Sequence, residues 1–211
     1  MSTFLLTRPE HDTTTYYLSH WCKEVISLAE SKNIKVLDLN KEKANKKEFE
    51  SKINTFCPKL IVLNGHGNDD VVTGHKNEPL IKVNSNDILL KNKIVYAISC
   101  RSAKSLGIEA IRKGALSYTG YDDDFIFVYE SNKISKPLTD NTAKLFLEPS
   151  QLFVKSLLKN NSVEESLERA KEEMKNNLKR SFSEEEPSNS KYLWWNLKHM
   201  VSHGDPKSIF S

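Results

Sequence analysis

Two residues with matched chemistry follow two apolar segments of the chain. His66, flanked by two glycines, comes after the segment LIVLN at 60–64, and Cys100 comes after the segment IVYAIS at 94–99. A cysteine nucleophile acts as thiolate, which is scarce at neutral pH because a free thiol has a pKa of about 8.5. Histidine is the usual side chain that takes up this proton. We therefore predict that His66 and Cys100 form a catalytic pair for acyl transfer.

Acyl transfer also needs hydrogen-bond donors for the oxyanion of the tetrahedral intermediate. The backbone N–H groups of Gly67 and Cys100 are natural donors, and a residue without a side chain lets a substrate backbone come close. The sequence predicts a helix over 103–113, just after the cysteine, and the positive end of its dipole would stabilise the thiolate.

The segments that must position this pair alternate between strand and helix patterns. Such alternation predicts right-handed crossovers and a mostly parallel sheet with helices on both faces. We expect one domain over residues 1–211, with C-terminal helices 141–203 packed on it and a flexible connection at 181–190. The predicted strands are 3–7, 34–39, 60–64, 93–99, 116–120 and 125–129, and the predicted helices are 13–31, 46–56, 103–113, 141–158, 163–178 and 192–201.

Functional side chains of open parallel sheets collect where strands end and helices begin. The strands before His66 and Cys100 are consecutive in the alternating pattern, with only a polar loop between them. We therefore expect the two strands to be neighbours, with both side chains at the same edge of the sheet.

These segments resemble the caspase-like cysteine peptidases, which include caspases, gingipains, separases and CHAT domains. The family pattern is an apolar strand leading to His-Gly and a second apolar strand leading to Cys, and here it is LIVLNGHG at 60–67 and IVYAISC at 94–100. Gly204-Asp205-Pro206 is similar to a tripeptide near the end of gingipain-like domains. The resemblance covers roughly residues 1–130 and is nearest to CHAT or gingipain-like domains.

The resemblance implies a caspase-like three-layer α/β/α sandwich and a cysteine endopeptidase. By residue, it implies that His66 and Cys100 are the catalytic dyad and that Gly67 is the oxyanion glycine. Asp69 and Asp70 follow the His-Gly motif and are able to orient the imidazole, but this family generally lacks an essential acidic third member.

Asp122, Asp123 and Asp124 form an acidic cluster after the strand that follows the cysteine helix. Three interpretations are open: a solvated loop, an anionic pocket for a Lys or Arg side chain, or calcium ligands. The spacing does not match an EF-hand. Related separases and gingipains cut after basic residues, so we predict cleavage after Lys or Arg, with the three aspartates binding substrate.

No other cofactor is predicted. His199 and His203 have an i, i+4 spacing but lack the glutamate of an HExxH zinc motif. The chain carries 31 basic and 28 acidic residues, a net charge of +3, which gives no electrostatic case for nucleic acid. The expected partner is a protein or peptide substrate.

The sequence shows neither a membrane span nor a signal peptide, because its N-terminal apolar run is only Phe4-Leu5-Leu6. Three cysteines cannot all pair within one chain. Together these features predict a cytoplasmic protein with reduced thiols.

Two other functions compete with a peptidase. A glutamine amidotransferase places its cysteine in a Gly-x-Cys-x-Gly turn, and no glycine flanks Cys100 in this way. A catalytically silent interaction or sensor module would keep the fold without the activity, although the intact His66 and Cys100 argue against it.

Overall fold

A six-stranded sheet forms the centre of the molecule. The computed structural model describes residues 2–182 and 189–210. The first five strands in spatial order are parallel, and the sixth is antiparallel to the fifth. In that order the strands are β2 (Lys35–Asn40), β1 (Thr3–Arg8), β3 (Leu60–Asn64), β7 (Ile94–Ile98), β8 (Ser117–Tyr121) and β9 (Met200–Gly204).

Helices cover both faces of this sheet. On one face lie α3 (Lys46–Phe56) and α4 (Leu106–Arg112). The other face is covered by α1 (Thr13–Trp21), α2 (Lys23–Ser31), α5 (Asn141–Leu157) and α6 (Val163–Ser181). The last helix is α7 (Ser190–His199), which leads directly into β9. The predicted three-layer α/β/α arrangement around a mostly parallel sheet is confirmed.

Two hydrophobic cores follow from the alternation of side chains along each strand. In β1, Phe4 and Leu6 belong to the core under α1, α2 and α5, whereas Leu5 belongs to the core under α3 and α4. All three side chains are fully buried. Because successive strand residues point to opposite faces, an apolar run such as FLL supplies both cores at once.

A second, smaller sheet occupies the segment predicted as a polar loop. It is antiparallel and consists of β4 (Gly67–Asn68), β5 (Val71–Thr73) and β6 (Pro79–Lys82). Val72, Leu80 and Ile81 are buried in the core under α3 and α4. These strands are too short to show a clear alternating pattern in the sequence, but they start directly after His66 and so help to position it.

Two predicted helices differ from those observed. The helix predicted over 13–31 is two helices separated at Cys22, whose backbone keeps right-handed dihedral angles. The helix predicted over 103–113 begins only at Leu106, because residues 100–105 form turns. The prediction of a helix dipole directly behind Cys100 is therefore wrong, because Leu106, the first helical residue, lies six positions after Cys100.

The strand predicted over 125–129 is not formed, although Phe125 and Phe127 do pack against a core. The side chain of Asn196 takes the place of a neighbouring strand for the backbone of Ile126. The N–H of Ile126 donates to Asn196 Oδ1 at 3.0 Å, and Asn196 Nδ2 donates to the Ile126 carbonyl at 2.6 Å. The place beside β8 that a further strand would take is filled by β9.

The C-terminal region is not helical throughout. The helix predicted over 192–201 ends at His199, and residues 200–203, included in the predicted helical region 141–203, belong to strand β9. Residues 183–188 of the flexible connection predicted at 181–190 lie outside the described residues. No helix in the described ranges is long and apolar enough to cross a membrane.

Candidate active site at the carboxyl edge of the sheet

Strand register brings His66 and Cys100 to the same edge of the sheet. Strands β3 and β7 are parallel neighbours, as predicted, and pair from Leu60 with Ile94 to Asn64 with Ile98. His66 and Cys100 each lie two positions beyond the last of these pairs. They therefore leave the sheet at the same level, on adjacent strands, at the carboxyl ends.

The backbones that carry the two residues are in close contact. A Cβ atom added to Gly67 would lie 2.2 Å from Ser99 Oγ, 2.5 Å from the Val71 carbonyl oxygen and 3.5 Å from the Cys100 carbonyl oxygen. Any side chain at position 67 would thus fill the space between the histidine segment and the cysteine segment. This is a physical requirement for glycine after the histidine.

The N–H of Gly67 faces away from the small sheet. Thr73 N–H donates to the His66 carbonyl at 2.8 Å, and the register pairs Gly67 with Val72. Hydrogen-bonded and non-hydrogen-bonded pairs alternate in an antiparallel ladder, so Gly67 and Val72 form a non-hydrogen-bonded pair. The Gly67 N–H is consequently not used by β5.

The acidic partner of His66 is Asp12, which sequence reasoning missed. His66 Nε2 lies 2.7 Å from Asp12 Oδ2. Asp12 is the N-cap of α1 and forms a capping box with Thr15, whose N–H donates to Asp12 Oδ1 at 2.8 Å. Partial burial opposes ionisation of Asp12, but the Thr15 N–H and His66 outweigh it and lower the pKa of Asp12. An ionised carboxylate therefore faces the imidazole.

Asp69 and Asp70 do not contact the imidazole. Asp69 forms ion pairs with Arg101 Nε at 3.6 Å and with Lys104 Nζ at 3.3 Å. The N–H of Asp70 donates to the Asn68 side chain within the β4–β5 turn. A capping signal before α1 was readable in the sequence, but nothing in it linked that cap to a histidine 54 positions later.

Cys100 is half-buried, and its surroundings favour the protonated thiol. Burial raises the pKa of its thiol, and the nearby Asp124 carboxylate raises it further, whereas a backbone hydrogen bond with Phe125 and the charge of Arg101 lower it. The Sγ atom lies 3.9 Å from the Phe125 carbonyl oxygen. In this state the sulfur is a thiol, and thiolate must be generated by a proton acceptor.

The other two cysteines have different surroundings. Burial raises the pKa of Cys22 to about 12. This thiol belongs to the core under α1, α2 and α5, where it lies 3.3 Å from Asn64 Nδ2. Cys57 is exposed at the C-terminus of α3, where it has a left-handed backbone. All three cysteines are free, and Cys100 is the one that lies beside the histidine edge.

The acidic loop lies against Cys100, but its carboxylates have separate partners. Asp122 Oδ1 is 2.7 Å from His199 Nδ1, and Asp124 Oδ1 is 3.2 Å from Arg101 Nε. The Asp123 carbonyl accepts the Arg101 N–H at 3.0 Å, which joins this loop to the turn that follows the cysteine. Asp123 has no cationic partner within residues 2–182 and 189–210.

A hydrogen bond connects the acidic loop to α7, since Trp195 Nε1 donates to the Asp124 carbonyl at 2.9 Å.

The carboxylates of Asp122, Asp123 and Asp124 do not form a common metal-binding group in the described parts of the chain. His11, Asp12 and His66 do form such a group, with one ligand atom from each residue within 4.8 Å of the others.

Comparison of the sequence with protein families and with curated proteins finds no match. Function is therefore inferred from the geometry of this edge.

Proposed function

We propose that this chain is a cysteine endopeptidase of the caspase-like type, with Cys100 as nucleophile and His66 as the proton carrier. The observation that supports this proposal is the β3–β7 register, which brings both residues to the same level at the carboxyl edge of adjacent parallel strands. This edge is where open α/β sheets place their reactive groups. The substrate is a protein or peptide.

The reaction begins when His66 takes the Cys100 proton. Since Nε2 is held by Asp12, Nδ1 is the nitrogen left to accept it. The thiolate attacks the scissile carbonyl carbon, and the C–N bond breaks as the imidazolium gives its proton to the leaving amine. Water then hydrolyses the thioester and restores the Cys100 thiol.

Asp12 acts in this scheme as a positioning residue. A carboxylate that accepts from Nε2 fixes the tautomer of His66 and stabilises the imidazolium after proton uptake. Its own position is determined by the capping box of α1. The imidazole is therefore oriented by a rigid helix terminus rather than by the loop that carries it.

The N–H groups of Gly67 and Cys100 are the proposed oxyanion donors. Gly67 N–H is left free of the β5 ladder by the register of the small sheet, and the lack of a side chain keeps the space beside Cys100 open. Donors of this kind, aimed at a developing oxyanion, are typically worth about 2.7–4 kcal/mol each in transition-state stabilisation.

The proposal includes cleavage after Lys or Arg. Asp123 is the loop carboxylate without a cationic partner in the described residues, and its backbone adjoins the turn after Cys100. The Arg101–Asp124 pair is exposed, with 44% and 53% of the side-chain surfaces accessible. Exposed pairs of this kind contribute roughly 0–1 kcal/mol, so a substrate guanidinium can displace Arg101 at little cost.

The second candidate is a catalytically silent interaction or sensor module with the same fold. The specific observation in its favour is the raised pKa of Cys100, which keeps the sulfur protonated. An active peptidase overcomes this through proton transfer to His66, whereas a silent module would keep an unreactive thiol. A reducing, cytoplasmic compartment suits either candidate, since all three cysteines are free.

Turnover of a fluorogenic peptide library by purified protein distinguishes the two candidates. We expect cleavage by the wild type, none by Cys100→Ala, and retained cleavage by Cys57→Ala, whose thiol is exposed and lies at the far end of α3. Wild-type rates in Cys100→Ala would refute the peptidase assignment, and absence of cleavage in every protein would favour the silent module.

The same library tests specificity at the residue before the cut. We expect preference for Lys and Arg in the wild type and a selective loss of that preference in Asp123→Asn. Asp122→Asn is the matched control, because its carboxylate is already paired with His199. Preferential cleavage after Asp, or an unchanged basic preference in Asp123→Asn, would contradict the specificity proposal.

A further inference from the structure

Two histidines and one aspartate converge beside the proposed catalytic pair. Asp12 Oδ2 lies 2.7 Å from His66 Nε2 and 3.4 Å from His11 Nε2. The three ligand atoms are all within 4.8 Å of one another. They come from the N-terminus of α1 and from the end of β3, two elements that meet at the carboxyl edge of the sheet.

The spacing of these atoms suits a small tetrahedral ion. With metal–ligand bonds of about 2.0 Å, the edge of a tetrahedron is about 3.3 Å long. The 3.4 Å separation of His11 and Asp12 already has this length. The 2.7 Å separation of His66 and Asp12 must open by about 0.6 Å, a movement within reach of side chains that are 39% and 37% exposed.

The chemistry of the ligands selects the ion. Two imidazoles with one carboxylate suit Zn²⁺ and related transition metals, whereas Ca²⁺ and Mg²⁺ prefer oxygen ligands throughout. An open cavity of about 550 Å³, lined by His11 and Asp12 among other residues, gives an ion and its remaining water ligand access from solvent.

The surroundings of His11 hold its ring in place for this role. Its ring meets those of His66 and His75 edge to face, with centroid distances of 6.0 and 5.5 Å. Only 11% of its side chain is exposed. Asn77 Oδ1 is 3.2 Å from His11 Nε2 and is able to accept a hydrogen bond from a metal-bound water once the ion has taken that nitrogen.

We propose that His11, Asp12 and His66 bind Zn²⁺ or a chemically similar divalent transition metal, and that this ion inhibits the peptidase reversibly. A metal on His66 Nε2 separates the imidazole from Asp12 and prevents the ring from becoming the imidazolium that protonates the leaving amine. The inhibitory part rests on the proposed function, whereas the metal site itself does not.

Titration of the metal-free protein with Co²⁺, followed by visible absorption, tests the site without any activity assay. We expect intense tetrahedral d–d bands that Zn²⁺ abolishes by displacement. His11→Ala should weaken Co²⁺ binding by about tenfold or more, and Asp12→Asn, which retains a good helix cap, should weaken it as well. His20→Ala is the matched control, since its Nδ1 contacts its own helix at the Tyr16 carbonyl.

Two results would overturn the metal site. One is the absence of Co²⁺ bands in the wild type, and the other is loss of the bands in Cys100→Ala, which would mean that the cysteine is a ligand. Thermal unfolding of the metal-free variants shows whether each variant is folded. If His11→Ala does not fold, Asp12→Asn still tests the metal site.

Peptide hydrolysis with and without Zn²⁺ tests the inhibitory part. We expect Zn²⁺ to inhibit the wild type and the concentration for half inhibition to rise about tenfold in His11→Ala. Activation by Zn²⁺ would overturn inhibition and indicate a metal-dependent reaction. Co²⁺ binding in a protein that cleaves no peptide would support the metal site and refute the proposed peptidase.

Discussion

Substitution of Gly67 by alanine tests the claim that position 67, between the histidine and cysteine segments, has no room for a side chain. The new Cβ would lie 2.5 Å from the Val71 carbonyl oxygen, whereas ordinary contact begins at 3.4 Å. The backbone must therefore move by about 0.9 Å, because the Val71 oxygen belongs to the β4–β5 hairpin and cannot rotate away. Ser99 Oγ, at 2.2 Å, does not add to this estimate because a hydroxyl can change rotamer.

The two consequences of this movement differ in size. Overpacking of this kind costs about 1–3 kcal/mol of stability, which corresponds to roughly 2–12 °C in Tm for a chain of this length. A displacement near 1 Å at reacting groups costs on the order of 10²-fold in rate. We therefore expect Gly67→Ala to fold with a lower Tm and to lose about 10²-fold in kcat/KM, measured well below its Tm.

Gly204→Ala is the matched control for crowding. Its added Cβ would lie 2.4 Å from the Leu116 carbonyl oxygen, but Gly204 pairs with Ser117 at the opposite end of β8 from the proposed site. Its φ of +93° adds strain, so its Tm should fall at least as far as that of Gly67→Ala, with turnover per folded molecule preserved. Wild-type kcat/KM in Gly67→Ala, or equal losses in both variants, would refute the reasoning.

Two further predictions concern the thiol and the core. Burial and the Asp124 carboxylate raise the pKa of Cys100, so alkylation of this thiol by iodoacetamide should rise with pH and have its midpoint above that of an unperturbed thiol. Asp124→Asn should move this midpoint to lower pH. Peptide-level mass spectrometry that finds no shift would contradict the role of the Asp124 carboxylate. The buried hydroxyl of Tyr17 donates to Asp140 Oδ2 at 2.8 Å. Tyr17→Phe should therefore lower the free energy of unfolding by about 1.5–3 kcal/mol in urea titrations. An unchanged midpoint of urea unfolding would contradict a stabilising role for this hydrogen bond.

Each of the two proposed catalytic residues has its own partner in this structure. His66 is paired with Asp12, and the Cys100 sulfur lies against the Phe125 carbonyl in a loop that Trp195 fastens to α7. Under the proposed mechanism, substrate binding must bring the thiol to the imidazole. The loop from Asp122 to Phe125 is the element whose movement would do so, since it contributes the Phe125 carbonyl that contacts the sulfur and the Asp124 carboxylate that raises the pKa of the thiol.

Local patterns in the sequence were enough to define the central strands and the longer helices. Continuous apolar runs such as 60–64 and 94–98 predict strands buried on both faces, and the helix over 46–56 was predicted with the bounds that the structure has. These predictions succeed because burial and helix periodicity are properties of neighbouring residues. The same reasoning failed at 125–129, an apolar run in which the backbone of Ile126 hydrogen-bonds to the Asn196 side chain instead of to a neighbouring strand.

The sequence by itself therefore determined the α/β architecture and singled out His66 and Cys100 as residues whose types and flanking segments suit one another. Only the tertiary structure decided which carboxylate serves the imidazole and which groups surround the sulfur. Asp12 lies 54 positions from His66, and Asp124 lies 24 positions from Cys100. Contacts of this kind depend on how parallel strands and their crossovers bring distant chain segments to one edge, and no local periodicity records that.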